Sequence, residues 1–157
     1  MTQLAVVAIG GNALIRDQDH QAIHDQYEAV ALAVRGIADM IASGWNVVVM
    51  HGNGPQMDYI LRRSELAIHE VAPVPMDYAG ADLQGALGYM FVRAFRNEFT
   101  RRGMAREPVA VVTETLVDPA DPAFADPSKP IGTQMDEAAA AFRWSRTRTA
   151  RCAGWRR

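Results

Sequence analysis

The chain has 157 residues, 49% hydrophobic and 22% charged, enough for one domain with a real core and a composition that reads as soluble and globular. No apolar run reaches membrane-spanning length, and the opening MTQLAVVAIGGNALIRD lacks the basic region of a secretion signal. The single cysteine, Cys152, excludes an internal disulfide, fits a reducing cytoplasm, and reads as a stray thiol, not a nucleophile.

The net charge of −2 hides an asymmetry. Residues 1–142 carry nine Arg, one Lys and eighteen acids, a net −8, while residues 143–157 carry six Arg and no acid, a net +6. The sequence therefore divides into a main part, 1–142, and an Arg-rich tail, 143–157, whose composition is what a shifted reading frame of GC-rich DNA encodes. A basic tail can also bind nucleic acid. Here only Trp144 and Trp155 could stack on bases and the rest of the chain is acidic, so that reading is set aside.

In chain order, Leu4–Ile9 (LAVVAI) reads as a buried parallel strand, ending in the turn cluster Gly10-Gly11-Asn12. Ile23, Tyr27, Val30, Val34, Ile37, Ala38 and Ile41 then recur at helical spacing, and Gly44 is placed to end that helix. Residues 46–50 (NVVVM) form a second strand, which runs into HGNGPQ at 51–56, with Pro55 suited to the first turn of a helix reaching about Ile68. VAPVP at 71–75 is a connector. A long helix from about Ala79 to Arg101 follows, its Leu83, Leu87, Phe91, Phe95 and Phe99 forming a core stripe. Gly80, Gly85 and Gly88 lower its helix propensity, for which close packing or ligand approach would compensate. Residues 109–113 (VAVVT) read as a third strand, and 117–132 as a proline-rich loop. This order is that of a parallel sheet flanked by helices.

Ligands of parallel α/β sheets gather at the carboxyl ends of the strands, where both glycine loops fall. Backbone N–H groups of such loops can cradle phosphate oxygens, and Asn12 and Asn53 add donors that need no change of protonation. Neither loop is GxGxxG or GxxxxGK[ST], and singly each is more often just a turn. Lys129 in SKPIG is the one lysine beside fifteen arginines. Phosphoryl transfer needs a compact cation over the moving group, and a plain surface position could have taken Arg. His51 could serve as a base but reads better as a residue that orients its loop. His20, His24 and His69 lack zinc-ligand spacing, and Asp118, Asp121 and Asp126 lie among prolines as turn residues. No metal site is expected from these residues.

AIGGNAL (8–14), VVMHGNGPQ (48–56), AGADLQGALGYM (79–90), VVTETLVD (111–118) and DPAFADPSKPIG (121–132) together resemble carbamate kinase, of the amino acid kinase superfamily, in order over residues 3–137. The resemblance implies a three-layer α/β/α sandwich with a mainly parallel sheet, and a homodimer. It implies reversible phosphoryl transfer between ATP and carbamate with Mg²⁺, running from carbamoyl phosphate and ADP to ATP in arginine catabolism. By motif position it implies that Gly10, Gly11 and Asn12 line the carbamate and phosphoryl site, with Gly52, Asn53 and Gly54 facing it. Lys129, Gly11 and Asn12 would take the catalytic part. Met57-Asp58 and Asp82-Leu83 depart from the family pattern. The family's second half supplies most of its ATP site, so the chain is expected to be the N-terminal half of such an enzyme, inactive alone. The alternative is an inactive remnant or interaction protein that keeps the fold without the nucleotide half. No membrane or nucleic-acid partner is expected.

Overall fold

The computed structural model describes residues 3–15, 17, 19–127 and 137 of the chain. The chain divides into two compact units, Met1–Pro55 with Ala81–Glu114, and Gln56–Gly80 with Thr115–Arg157. Residues 128–136, which include Lys129, and the tail at 143–157 lie outside the described residues, as does the expected boundary after residue 142.

The first unit is built on a βαβ element. Strand β1, Leu4–Ile9, is followed by helix α1, Ile23–Ala42, and strand β2, Asn46–His51. The two strands pair in parallel from Leu4 opposite Asn46 to Ile9 opposite His51. Helix α1 starts where the Asp25 carboxylate accepts the N–H of Ala22 at 3.0 Å, meeting one of the donors that a helix N-terminus leaves unpaired. It ends at Gly44, whose φ of +95° lies in the left-handed region, and Trp45 N–H bonds back to Met40 O at 3.2 Å. The sequence expectation for this helix and its glycine stop is met.

Helix α2 spans Gly54–Leu66 and helix α3 Met76–Arg102. The part of α3 in the first unit lies beside α1. Leu83, Leu87, Phe91, Phe95 and Phe99 are all at most 6% exposed, and the last four join Val30, Val34, Ile37 and Ala38 of α1 in one apolar cluster. Val7, Ile9, Val47 and Val49 pack against it from the sheet. Burying each large side chain of that cluster contributes about 1.5–3 kcal/mol. Gly88 explains one of the three helix glycines: a Cβ there would come within 2.8 Å of Ala110 Cβ, so glycine lets the segment after α3 lie against the helix. A Cβ at Gly85 would meet nothing, and nothing in the structure explains that residue.

A polar girdle closes the α1–α3 contact. Arg102 donates to Glu98 and to Asp39, both at 2.6 Å, and to Arg35 O at 2.9 Å. Arg101 forms a two-pronged pair with the same Glu98 at 2.6 and 2.9 Å. The hydrogen bonds of Arg101, then of Arg102, hold the Glu98 carboxyl down at about 2 from its ordinary 4.5. Elsewhere between α1 and α3, Asn97 donates to Tyr27 Oη at 2.9 Å and Arg93 lies 5.0 Å above the Tyr27 ring.

Two expectations differ from the structure. Residues 109–113 belong to no ladder, so the described sheet has two strands. Among the described residues the segment has no neighbouring strand to bond to; Gln84 takes over at one residue, accepting Thr113 N–H at 2.6 Å and donating to Thr113 O at 3.0 Å. The strands themselves are half-buried at alternate positions instead of on both faces. Leu4, Val6, Val48 and Met50 remain 48–64% exposed, because α1 and α3 both cover the odd-numbered face.

In the second unit, Ser64 Oγ accepts Val74 N–H at 3.1 Å and fixes the 71–75 connector. Asp118 and Asp121 accept the N–H groups of Ala120 and Ala123 at 2.9 and 2.8 Å. They are turn formers, as their neighbouring prolines suggested, and Asp121 starts a short 3₁₀ turn at Pro122–Phe124.

Leu87 is 1% exposed, and Leu87→Ala should cost about 2–5 kcal/mol in a denaturant titration. Glu98→Gln should lower the melting temperature at pH 7. A carboxyl whose folded pKa is depressed adds stability above its unfolded value and loses it as pH falls to the folded one. The gap between wild type and variant should therefore shrink from about pH 4.5 to about 2. A gap that stays constant over that range would show that the charge of Glu98 does not matter.

Candidate functional site

Both glycine loops start at the carboxyl ends of the paired strands. β1 delivers Gly10 in extended backbone (φ −66°, ψ 146°), then a 3₁₀ turn over Gly11–Leu14. Leu14, 1% exposed, anchors that turn in the core, and Ala13 N–H bonds to Gly10 O at 3.0 Å. β2 delivers Gly52, whose N–H donates to Ile9 O at 2.8 Å and so carries the parallel ladder one residue past the strand. Asn53 follows, and Gly54 opens α2.

The loops touch through their backbones. A Cβ on Gly52 would stand 2.9 Å from the Gly11 nitrogen. A Cβ on Gly11 would stand 3.1 Å from the nitrogens of Asn53 and Gly54 and from Pro55 Cδ. Backbone and a proline ring have little freedom to swing aside, so a side chain at Gly52 would force the loops apart and one at Gly11 would crowd them. By contrast, Cβ atoms at Gly10 and Gly54 would meet nothing within 4 Å. Gly11 is buried, Asn53 half-buried, and Gly10, Asn12, Gly52 and Gly54 exposed.

The structure therefore brings together six of the seven residues singled out from the sequence; the seventh, Lys129, is outside the described residues. What they offer is glycine backbone beside the N-terminus of α2, with two amide side chains and no carboxylate. That donor set suits an anion and does not suit a hard cation such as Mg²⁺, which takes oxygen ligands. Among the described residues no three His, Cys, Asp or Glu side chains gather to hold a metal ion.

His51 has the orienting position that the sequence suggested. Its ring stacks on Phe91, with centroids 5.9 Å apart and planes 15° from parallel, and Nδ1 lies 3.4 Å from Gly52 O. The stack ties the second loop to α3. The sequence marks Phe91 as core alone; its part in the site has no signal there, because a stripe of aromatic residues at helical spacing does not show which of them ends up beside His51.

Gly52→Ala should destabilise the chain by about 1–3 kcal/mol through overpacking, whereas Gly10→Ala should stay within about 0.5 kcal/mol of wild type. Equal effects in urea titrations would mean that the loops are not in backbone contact.

No protein-family model matches the chain. It is 42% identical over 139 residues to the carbamate kinase of Pyrococcus horikoshii, covering 87% of this chain and 44% of that protein. It is 40% identical over 157 residues to the carbamate kinase of Pyrococcus furiosus, covering 99% of this chain and 48% of the other. Among solved structures, carbamate kinase from Giardia lamblia bound to AMP-PNP superposes with a TM-score of 0.80 at 33% identity, over 93% of this chain and 46% of that one. The chain spans about half the length of the relatives it matches. In sequence as in fold, and across about half of their length, this α/β chain is a homologue of the carbamate kinases.

Proposed function

We propose that the chain carries the carbamate and carbamoyl phosphate side of a carbamate kinase-type phosphotransferase. The observation that supports this most is the backbone contact of the Gly10–Asn12 and Gly52–Gly54 loops at the ends of two parallel strands. Carbamoyl phosphate presents a phosphoryl group and a planar carbamate. Backbone N–H groups of the loops other than that of Gly52 would hold the phosphoryl oxygens, while Asn12 and Asn53 would donate to the carbamate without titrating. Lys129 would bring the cation that the loops lack, offsetting charge on the transferring group. Catalysis on this reading is positioning plus charge stabilisation, and neither loop has to supply a base.

ATP and ADP are the co-substrates on this reading, and Mg²⁺ would be held by nucleotide phosphates and by groups other than these loops. The reaction would run toward ATP, drawing on carbamoyl phosphate from arginine breakdown in the cytoplasm, with the complete enzyme a homodimer. Among the described residues no helix is long and apolar enough to cross a membrane. The match to about half of each relative favours a chain that binds the carbamoyl phosphate side but turns over little by itself.

Titration with carbamoyl phosphate should shift the amide resonances of Gly10–Asn12 and Gly52–Gly54, and Gly52→Ala should abolish the response. Unmoved amides would sink the assignment. A coupled assay for ATP formation from carbamoyl phosphate and ADP should give little or no turnover; robust turnover lost in Lys129→Ala would show that the chain is catalytically complete.

A further inference from the structure

His51 ends the helix-facing side of β2, after Val47 and Val49, and its ring lies on Phe91. Any flat ring would meet the packing there. An imidazole adds two nitrogens, and one of them, Nδ1, lies 3.4 Å from Gly52 O. A carbonyl oxygen only accepts, so this hydrogen bond requires the ring proton on Nδ1.

Gly52 is the residue whose backbone most needs holding. The loops meet there: a Cβ on it would stand 2.9 Å from the Gly11 nitrogen, so the close approach excludes a side chain. Glycine also has the widest choice of backbone angles, which would leave the next peptide free to turn. Both backbone groups of Gly52 are nevertheless engaged. Its N–H donates to Ile9 O at 2.8 Å, and its carbonyl accepts from His51.

The consequence falls on Asn53. Its N–H belongs to the same peptide group as Gly52 O, and no peptide bond is cis among the described residues. In a trans peptide the C=O and N–H point opposite ways. Holding Gly52 O toward the imidazole therefore turns the Asn53 N–H away from it. That N–H makes no hydrogen bond among the described residues. Its nitrogen lies where the loops meet, since a Cβ on Gly11 would stand 3.1 Å from it.

We propose that His51, in the tautomer with its proton on Nδ1, is a positioning residue for the anion site: it sets the Gly52–Asn53 peptide so that the Asn53 N–H faces the phosphoryl group of carbamoyl phosphate. This role rests on the reading of the two loops as the carbamoyl phosphate site. His51 touches no reacting atom and moves no proton. It aims a donor before the ligand arrives, which lowers the ordering cost of binding.

The test is titration of the full 157-residue chain and two variants with carbamoyl phosphate, followed at the Asn53 and Gly54 amide resonances. His51→Phe keeps a flat ring for Phe91 and loses the donor. His51→Asn loses the stack and keeps a donor nitrogen near the place of Nδ1. Urea titrations should show both variants folded. His51→Phe should weaken binding about tenfold, and His51→Asn should recover most of that loss. Imidazole nitrogen resonances of the wild-type chain should show the proton on Nδ1, a readout that decides the matter even where a variant unfolds. A proton on Nε2 alone would overturn the proposal. So would equal binding by wild type and His51→Phe, or binding by His51→Asn no tighter than by His51→Phe. Unmoved amides in the wild-type chain would sink the reading of the loops, and this role with it.

Discussion

The in-register pairing of β1 with β2 is the constraint on which the rest of the site depends. Ile9 stands opposite His51, so both strands end at one level and both loops leave the sheet side by side. The bond from Gly52 N–H to Ile9 O then draws the second loop onto the first, so closely that a side chain at Gly52 would force the two apart. A single interaction type, the parallel ladder, thus brings two ordinary turn sequences into backbone contact.

The helices serve this pairing from one side. Apolar stripes on α1 and α3 meet the odd-numbered residues of the sheet, and the polar girdle of Glu98, Arg101, Arg102 and Asp39 fixes how the two helices lie against each other. Glu98 is the centre of that girdle: its side chain is 8% exposed and accepts from two guanidinium groups, a geometry that satisfies a carboxylate removed from most of its water. Phe91 then links core and site, since the same ring that packs among the helices also carries His51.

Most of this architecture was legible in the sequence because local signals and long-range packing agree. LAVVAI and NVVVM read as strands, Gly44 as a helix stop, and the Leu83–Phe99 stripe as core, and each stands so in the structure. Residues 109–113 show where such signals run out. VAVVT has the composition of a strand, but a strand exists only as a member of a ladder, and its bonding partner is not written in its own residues. The uncovered face of Leu4, Val6, Val48 and Met50 has the same origin: an apolar run states that both faces want cover and not what supplies it. At the site, glycine spacing indicated an anion surface, while the contact of Gly11 with Gly52 depends on register and became visible only in three dimensions.

The register also governs how such a sequence can drift over time. Successive strand residues face opposite ways, so one residue added within β1 or β2 would turn His51 away from Phe91 and carry Gly52 about 3.3 Å off its place beside Gly11. Length changes between the first glycine loop and α1 leave the ladder untouched. Descendants of this sequence should therefore vary in the length of that stretch while keeping the strand-to-glycine spacing fixed, so that the two strands evolve as a measured unit and the loop before the helix absorbs the insertions.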